Sequence, residues 1–95
     1  MSKKIILDKF EEYVLSCINE MNTGEKIIFT ENENPLTKDN KITLIKTDDN
    51  TFNVIEDGID DFEFSDLDFN GVIKHLLELQ LKEFPNCTHL YSHRG

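Results

Sequence analysis

Ninety-five residues carry 19 acidic and 10 basic side chains, a formal charge of −9, with 38% hydrophobic and 31% charged positions. That length suits a single domain, residues 1–95, with one modest core, and periodic apolar groups set in this charge background describe a folded chain rather than a disordered one. The negative balance opposes direct binding to nucleic acid or to an anionic membrane and favours a partner with a cationic surface.

The N-terminal stretch has Lys3 and Lys4 but only three consecutive apolar residues, Ile5, Ile6 and Leu7. That is far short of a signal peptide's apolar region, and no stretch reaches membrane-spanning length, so the expected location is cytoplasmic. In that compartment Cys17 and Cys87 read as reduced thiols rather than as a bridge. Phe10, Tyr13, Val14, Cys17, Ile18 and Met21 follow the i, i+3, i+4, i+7 rule and predict a first amphipathic helix. Asp8 and Glu11 are spaced as a capping box at its start, and Gly24 can supply the left-handed residue beyond its end. Cys17, near the middle of the apolar stripe, is expected to be buried and inert.

Residues 26–30, Lys-Ile-Ile-Phe-Thr, are short, β-branched and aromatic, and predict a strand. Residues 31–40, with four asparagines or aspartates and a proline, predict a long polar loop. Residues 41–47 and 51–56 predict two more strands joined by a tight turn at Asp48-Asp49-Asn50, where Asp and Asn tolerate the left-handed backbone. Period two then puts Ile42, Leu44, Phe52 and Val54 on an apolar face and Thr43, Ile45, Asn53 and Ile55 on a mixed one.

No Lys or Arg occurs between Lys46 and Lys74, and that interval holds Asp48, Asp49, Glu56, Asp57, Asp60, Asp61, Glu63, Asp66 and Asp68. All ten bases balance the other ten acids, so the whole formal charge falls in this block. Ile59, Phe62, Phe64, Leu67 and Phe69 are threaded through it, more apolar groups than a solvated linker needs. In Asp61-Phe62-Glu63-Phe64 the alternation puts both rings on one side and both carboxylates on the other, about 7 Å apart at strand rise. Rings buried beneath carboxylates would make a rigid negative ridge.

Residues 67–84 predict the strongest helix, with Phe69, Val72, Ile73, Leu76, Leu77, Leu79, Leu81 and Phe84 as its apolar positions. Phe69, Ile73, Leu76 and Leu77 are expected at the centre of the core. Ser65 and Asp68 fit a capping signature, Glu78 and Lys82 an i, i+4 pair, and Pro85 stops the helix. Residues 86–95 read as a tail or a short extra strand.

Several spacings touch on chemistry. Asp66, Asp68, Asn70 and Gly71 match the first half of an EF-hand calcium loop, but the twelfth place, where a bidentate Glu belongs, is Leu77. A helix start with capping acids accounts for the same residues. Cys87, His89 and His93, with Cys17, offer zinc-ligating atoms without a paired-cysteine motif, and His75 on the second helix has neither nucleophile nor second base near it in sequence. The expectation is therefore no metal, no cofactor and no enzymatic activity.

The predicted order gives an α+β fold: a three-stranded antiparallel β-meander with an N-terminal and a C-terminal helix packed on one face, α-β-β-β-α. With that layout and the acids of residues 48–68, the chain resembles, as a class, the small acidic inhibitors that phages encode, among them anti-CRISPR and other DNA-mimic proteins. The resemblance implies a non-enzymatic protein that lays its acids in the basic, nucleic-acid-binding groove of a host defence enzyme. Two alternatives share the charge argument or the spacing: a small acidic immunity protein or antitoxin covering a toxin's active site, and a calcium-dependent module built on Asp66, Asp68 and Asn70.

Overall fold

The computed structural model describes residues 2–36 and 38–94; of the predicted segments, Thr37 of the polar loop and Gly95 of the closing stretch lie outside the described residues, as does Met1. The elements in chain order are β1 (Ser2–Ile6), a 3-10 turn (Leu7–Lys9), α1 (Phe10–Glu20), β2 (Lys26–Thr30), β3 (Lys41–Asp48), β4 (Thr51–Asp57), β5 (Asp61–Leu67), α2 (Phe69–Glu83) and β6 (His89–Arg94). They form one six-stranded sheet in the order β1-β6-β2-β3-β4-β5, antiparallel throughout. The fold is α+β, but the expected three-stranded meander is corrected to six strands.

Three strands account for the difference. β1 carries little strand signal, because a single side chain of its five, Ile5, is buried. β5 lies in the acidic block, where residues 61–64 alternate in strand fashion but were expected to form a ridge outside the sheet; they instead pair with β4. Of the two readings of the closing stretch, tail or short extra strand, the strand holds: β6 is inserted between β1 and β2.

Antiparallel pairing on both sides of β6 makes β1 and β2 parallel to each other, and counting across the sheet makes β5 and β6 parallel too. Each helix is therefore a crossover between parallel strands, α1 from β1 to β2 and α2 from β5 back to β6. Such crossovers are right-handed almost without exception. Two of them, leaving oppositely directed strands in opposite senses, fall on the same face. Burial agrees: Ile27, Phe29, Ile42, Leu44, Phe52, Val54 and Leu90 are buried on that face with Val14, Ile18, Val72 and Leu76 of the helices. Phe10 and Tyr13 of α1 meet the Phe29 ring edge-on at 5.3 and 6.5 Å, and the Tyr13 hydroxyl shares a 2.8 Å hydrogen bond with Ser92 Oγ of β6.

Some local expectations also shift. The Asp8/Glu11 capping box does not form; α1 begins after the 3-10 turn, with Lys9 at its N-cap and no side-chain bond there. Gly24 has its positive φ of 92°, yet it shapes the turn into β2, where its amide donates to Lys46 O at 2.8 Å. At α2 the cap is Asp68 rather than Ser65, its Oδ1 accepting from Gly71 N at 2.7 Å. The buried residues of α2 are Val72, Leu76, Leu79, Gln80 and Glu83, while Phe69 is 40% exposed and Ile73 and Leu77 are half-buried. The expected core centre is thus rotated by a fraction of a turn toward Val72 and Leu79.

Candidate functional site: the acidic end of the open sheet face

With both helices on one face, the other face of the sheet is the open one. Cross-strand register sets its side chains in rows. One runs Lys4, Tyr91, Thr30, Lys41, Asp57, Asp61 from β1 to β5, and the next Ser2, His93, Ile28, Thr43, Ile55, Glu63. Both rows end in acids at the β4–β5 end, while the bases, Lys4 on β1 and Lys41 opposite Asp57 on β3, fall in the first row alone. Thr43, Ile45, Asn53 and Ile55 lie on this face, as the period predicts, and are half-buried. Over Thr30 and His93 the face is closed: His93 Nε2 lies 2.8 Å from Thr30 Oγ1, and the Thr30 hydroxyl donates to Asn32 O of the following loop. Burial holds the His93 imidazole below its ordinary pKa.

The nine block acids do not form one ridge. Asp57, Asp61 and Glu63 gather on the open face at the β4–β5 end, all exposed and without an ion pair among the described residues. Asp57 and Asp61 are direct cross-strand partners, an unfavourable like-charge pairing. At the other end of these strands, Asp48 and Asp49 form the β3–β4 turn, with Asp48 Oδ1 accepting from Asp49 N at 2.7 Å. Asp66 occupies a β-bulge with φ 57°, its amide donating to Asn53 Oδ1 at 3.1 Å. Asp49 and Asp68 line one surface cavity of about 430 Å³ together with Asn19, Lys46 and Phe69.

Glu56 and Asp60 belong to neither patch. Glu56 is 1% exposed, on the helix-facing side beyond Phe52 and Val54. Lys82 Nζ of α2 reaches Glu56 Oε2 at 2.9 Å and Asp60 Oδ2 at 2.6 Å; the two carboxylates, Asp60 first and then Glu56, raise the lysine's pKa. Beside them Glu83, also buried, accepts from Ile59 N at 3.0 and 3.2 Å. Burial, then the Glu56 carboxyl, raises the pKa of Glu83. The signal for an inward Glu56 was in the sequence: a strand that turns Phe52 and Val54 inward turns residue 56 inward as well.

Phe62 and Phe64 face the helix side, as the alternation predicts, but the rings are not buried beneath the acids. Phe62 is 59% exposed, and Phe64 is half-buried with its ring 4.6 Å from that of His75. His75 Nδ1 bonds Gly71 O at 2.9 Å, so the imidazole is a packed part of α2 rather than a solvated one. Asp66, Asp68 and Asn70 fall in a strand end, a cap and a first helical turn, which is not the geometry of a calcium loop. Among the described residues no three His, Cys, Asp or Glu side chains cluster as metal ligands. Cys17 and Cys87 are free thiols; burial raises the pKa of Cys17, and burial with the Glu31 carboxylate pushes Cys87 up to about 11. No described helix is long and apolar enough to cross a membrane.

Compared with protein-family models, with curated proteins and with solved structures, the chain matches none.

Proposed function

We propose that the chain is a non-enzymatic binding protein whose acidic β4–β5 end docks on a basic surface of a protein partner, one that otherwise holds nucleic acid, and so inhibits it. The observation that carries this reading is the set Asp57, Asp61 and Glu63: exposed, free of ion pairs, and kept with two carboxylates directly opposite one another. A pairing that costs stability is better accounted for by a partner's cations than by the fold itself. Asp48, Asp49, Asp66 and Asp68 flank the surface at the far end of the same strands. Glu56 and Asp60, engaged with Lys82, contribute to folding rather than to recognition. An inhibitor of phage origin is the form suggested by the resemblance, of which the charge persists while the α-β-β-β-α layout does not.

The test replaces Asp57→Asn, Asp61→Asn and Glu63→Gln together. Circular dichroism should show an intact fold. A partner captured by the wild-type chain should bind the triple variant more slowly, and wild-type association should slow as salt rises past the point where the Debye length is about 8 Å. Duplex DNA should compete for the same partner. Equal association rates for the two folded proteins would remove these acids as the recognition surface.

A further inference from the structure

β5 ends the sheet order, and among the described residues no element packs along its outer edge. Its outward backbone amides and carbonyls are therefore a template for another strand. The side chains along this edge alternate by chemistry. Asp61 and Glu63 stand on the open face, and Phe62 and Phe64 on the helix-facing side with ring centroids 6.1 Å apart. Phe62 is largely exposed, and Ile59, in the preceding turn, is exposed too. Such an edge offers hydrogen bonds along the backbone, carboxylates to one face of an incoming strand and aromatic surface to the other.

We infer that β5 is a docking edge for an extended, basic segment of a partner protein, in which Lys or Arg alternates with apolar residues. The cations of that segment pair with Asp61 and Glu63 across the open face, and its apolar side chains cover Phe62 and Phe64. Added strands of this kind draw affinity from the main chain and specificity from alternate side chains. The inference rests on reading the β4–β5 acids as a partner surface, and it names how the partner binds there.

Like charge argues against a second copy as the occupant. Two β5 edges paired with one another would set Asp61 and Glu63 against acids of the same strand, a like-charge contact. β1, the opposite edge, has adjacent lysines that point to opposite faces, so Lys4 alone would meet the acids while Lys3 would meet the rings. Lys3 is in addition placed over the Tyr13 ring, 5.3 Å from its centroid.

The test uses the unmodified chain and three synthetic hexapeptides: alternating Lys and Val, the same composition as a lysine block followed by a valine block, and the alternating peptide N-methylated at every second residue. Binding is followed by NMR titration, with hydrogen exchange of the β5 amides as the readout of strand addition. The alternating peptide should bind about tenfold tighter than either control and should protect outward β5 amides. Phe62→Ala should weaken it, and wild-type chain alone should sediment as a monomer. Equal binding of all three peptides, with loss on neutralising Asp61 and Glu63, would overturn the strand edge while leaving the acidic surface standing. No binding of any peptide, or binding indifferent to the acids, would overturn both. Self-association at millimolar concentration with β5 amides protected would assign the edge to a second copy instead.

Discussion

Glu83 and Glu56 face one another beneath the β4–β5 hairpin, both buried, with Lys82 as the nearby cation. Neither Glu56 oxygen has a hydrogen-bond partner of ordinary geometry among the described residues, despite the 2.9 Å approach of Lys82. A proton on Glu83 resolves this, because a carboxylic acid can donate to Glu56 while still accepting from Ile59 N. Burial and the Glu56 charge both favour that proton, so the folded pKa of Glu83 stands above its unfolded value. A raised pKa contributes stability in full below the unfolded value and loses it as pH rises through the folded one. Wild type should therefore lose stability relative to Glu83→Gln as pH increases from the ordinary carboxylate range toward neutral, since the amide mimics the protonated acid and does not titrate. Glu83→Ala should be less stable at every pH, by about 1–3 kcal/mol, because it strands the Ile59 amide and the Glu56 carboxylate. Urea midpoints of the three proteins across that range check both expectations; a pH-independent difference between wild type and Glu83→Gln would place the proton elsewhere. Gly58 shows how tightly the site is closed, since a Cβ there would collide with Glu83 Oε1 and with the Asn40 side chain.

At the scale of single elements, the legible segments were those that bury one continuous apolar stripe. α1, β2, β3, β4 and α2 all stand within a few residues of where periodicity puts them. The faces of β3 and β4 also follow, because two inward apolar side chains per strand leave no competing register. β1 and β6 carry too little of that signal. Each sends one apolar side chain inward, Ile5 or Leu90, and in β6 the other inward position is Ser92, which Tyr13 satisfies from another element. β5 lost its strand signal for another reason: its inward rings, Phe62 and Phe64, are only partly covered, so acids dominate the composition of the segment. The candidate site was accordingly legible as charge but not as shape. Asp57, Asp61 and Glu63 can be grouped only once β5 is known to pair with β4, and Glu56 drops out only once its face is followed inward. α2 gives the sharpest contrast of position with identity. Leu76 is fully buried and Leu81 is 67% exposed, though both belong to the same apolar series in the sequence. Leu76→Ala should cost about 2–5 kcal/mol, whereas Leu81→Ala should change stability by no more than about 0.5 kcal/mol. Equal losses in denaturant unfolding would mean that the helix is rotated from the orientation described.

Over the whole molecule, the chain builds its sheet in two ways. β2, β3, β4 and β5 follow one another as a meander, each paired with its sequence neighbour, and need only short turns and one longer loop. β1 and β6 come from opposite ends of the chain and are joined to that meander solely through β6, which pairs Ser2–Ile6 on one side and Ile27–Thr30 on the other. Leu7 N bonds Thr88 O at 3.1 Å just where the two end strands meet. The last strand therefore closes the sheet and completes the ground on which α1 packs, through the Tyr13 bond to Ser92 and the burial of Leu90. A loose tail could be removed without consequence; a strand in this position cannot. A chain ending at residue 88 should lose β1 along with β6, expose the inner edge of β2 and fail to unfold cooperatively. Because so large a deletion tests little beyond folding, the finer measurement is Leu90→Ala, expected to lower stability by about 2–5 kcal/mol as a fully buried large-to-small change, with Tyr91→Ala on the open face as its half-buried neighbour and the smaller loss. Thermal melts followed by circular dichroism would separate these outcomes. A truncated chain that melted cooperatively at the wild-type temperature would show that the meander and two helices suffice, and that the ends of the chain add only an appendage to them.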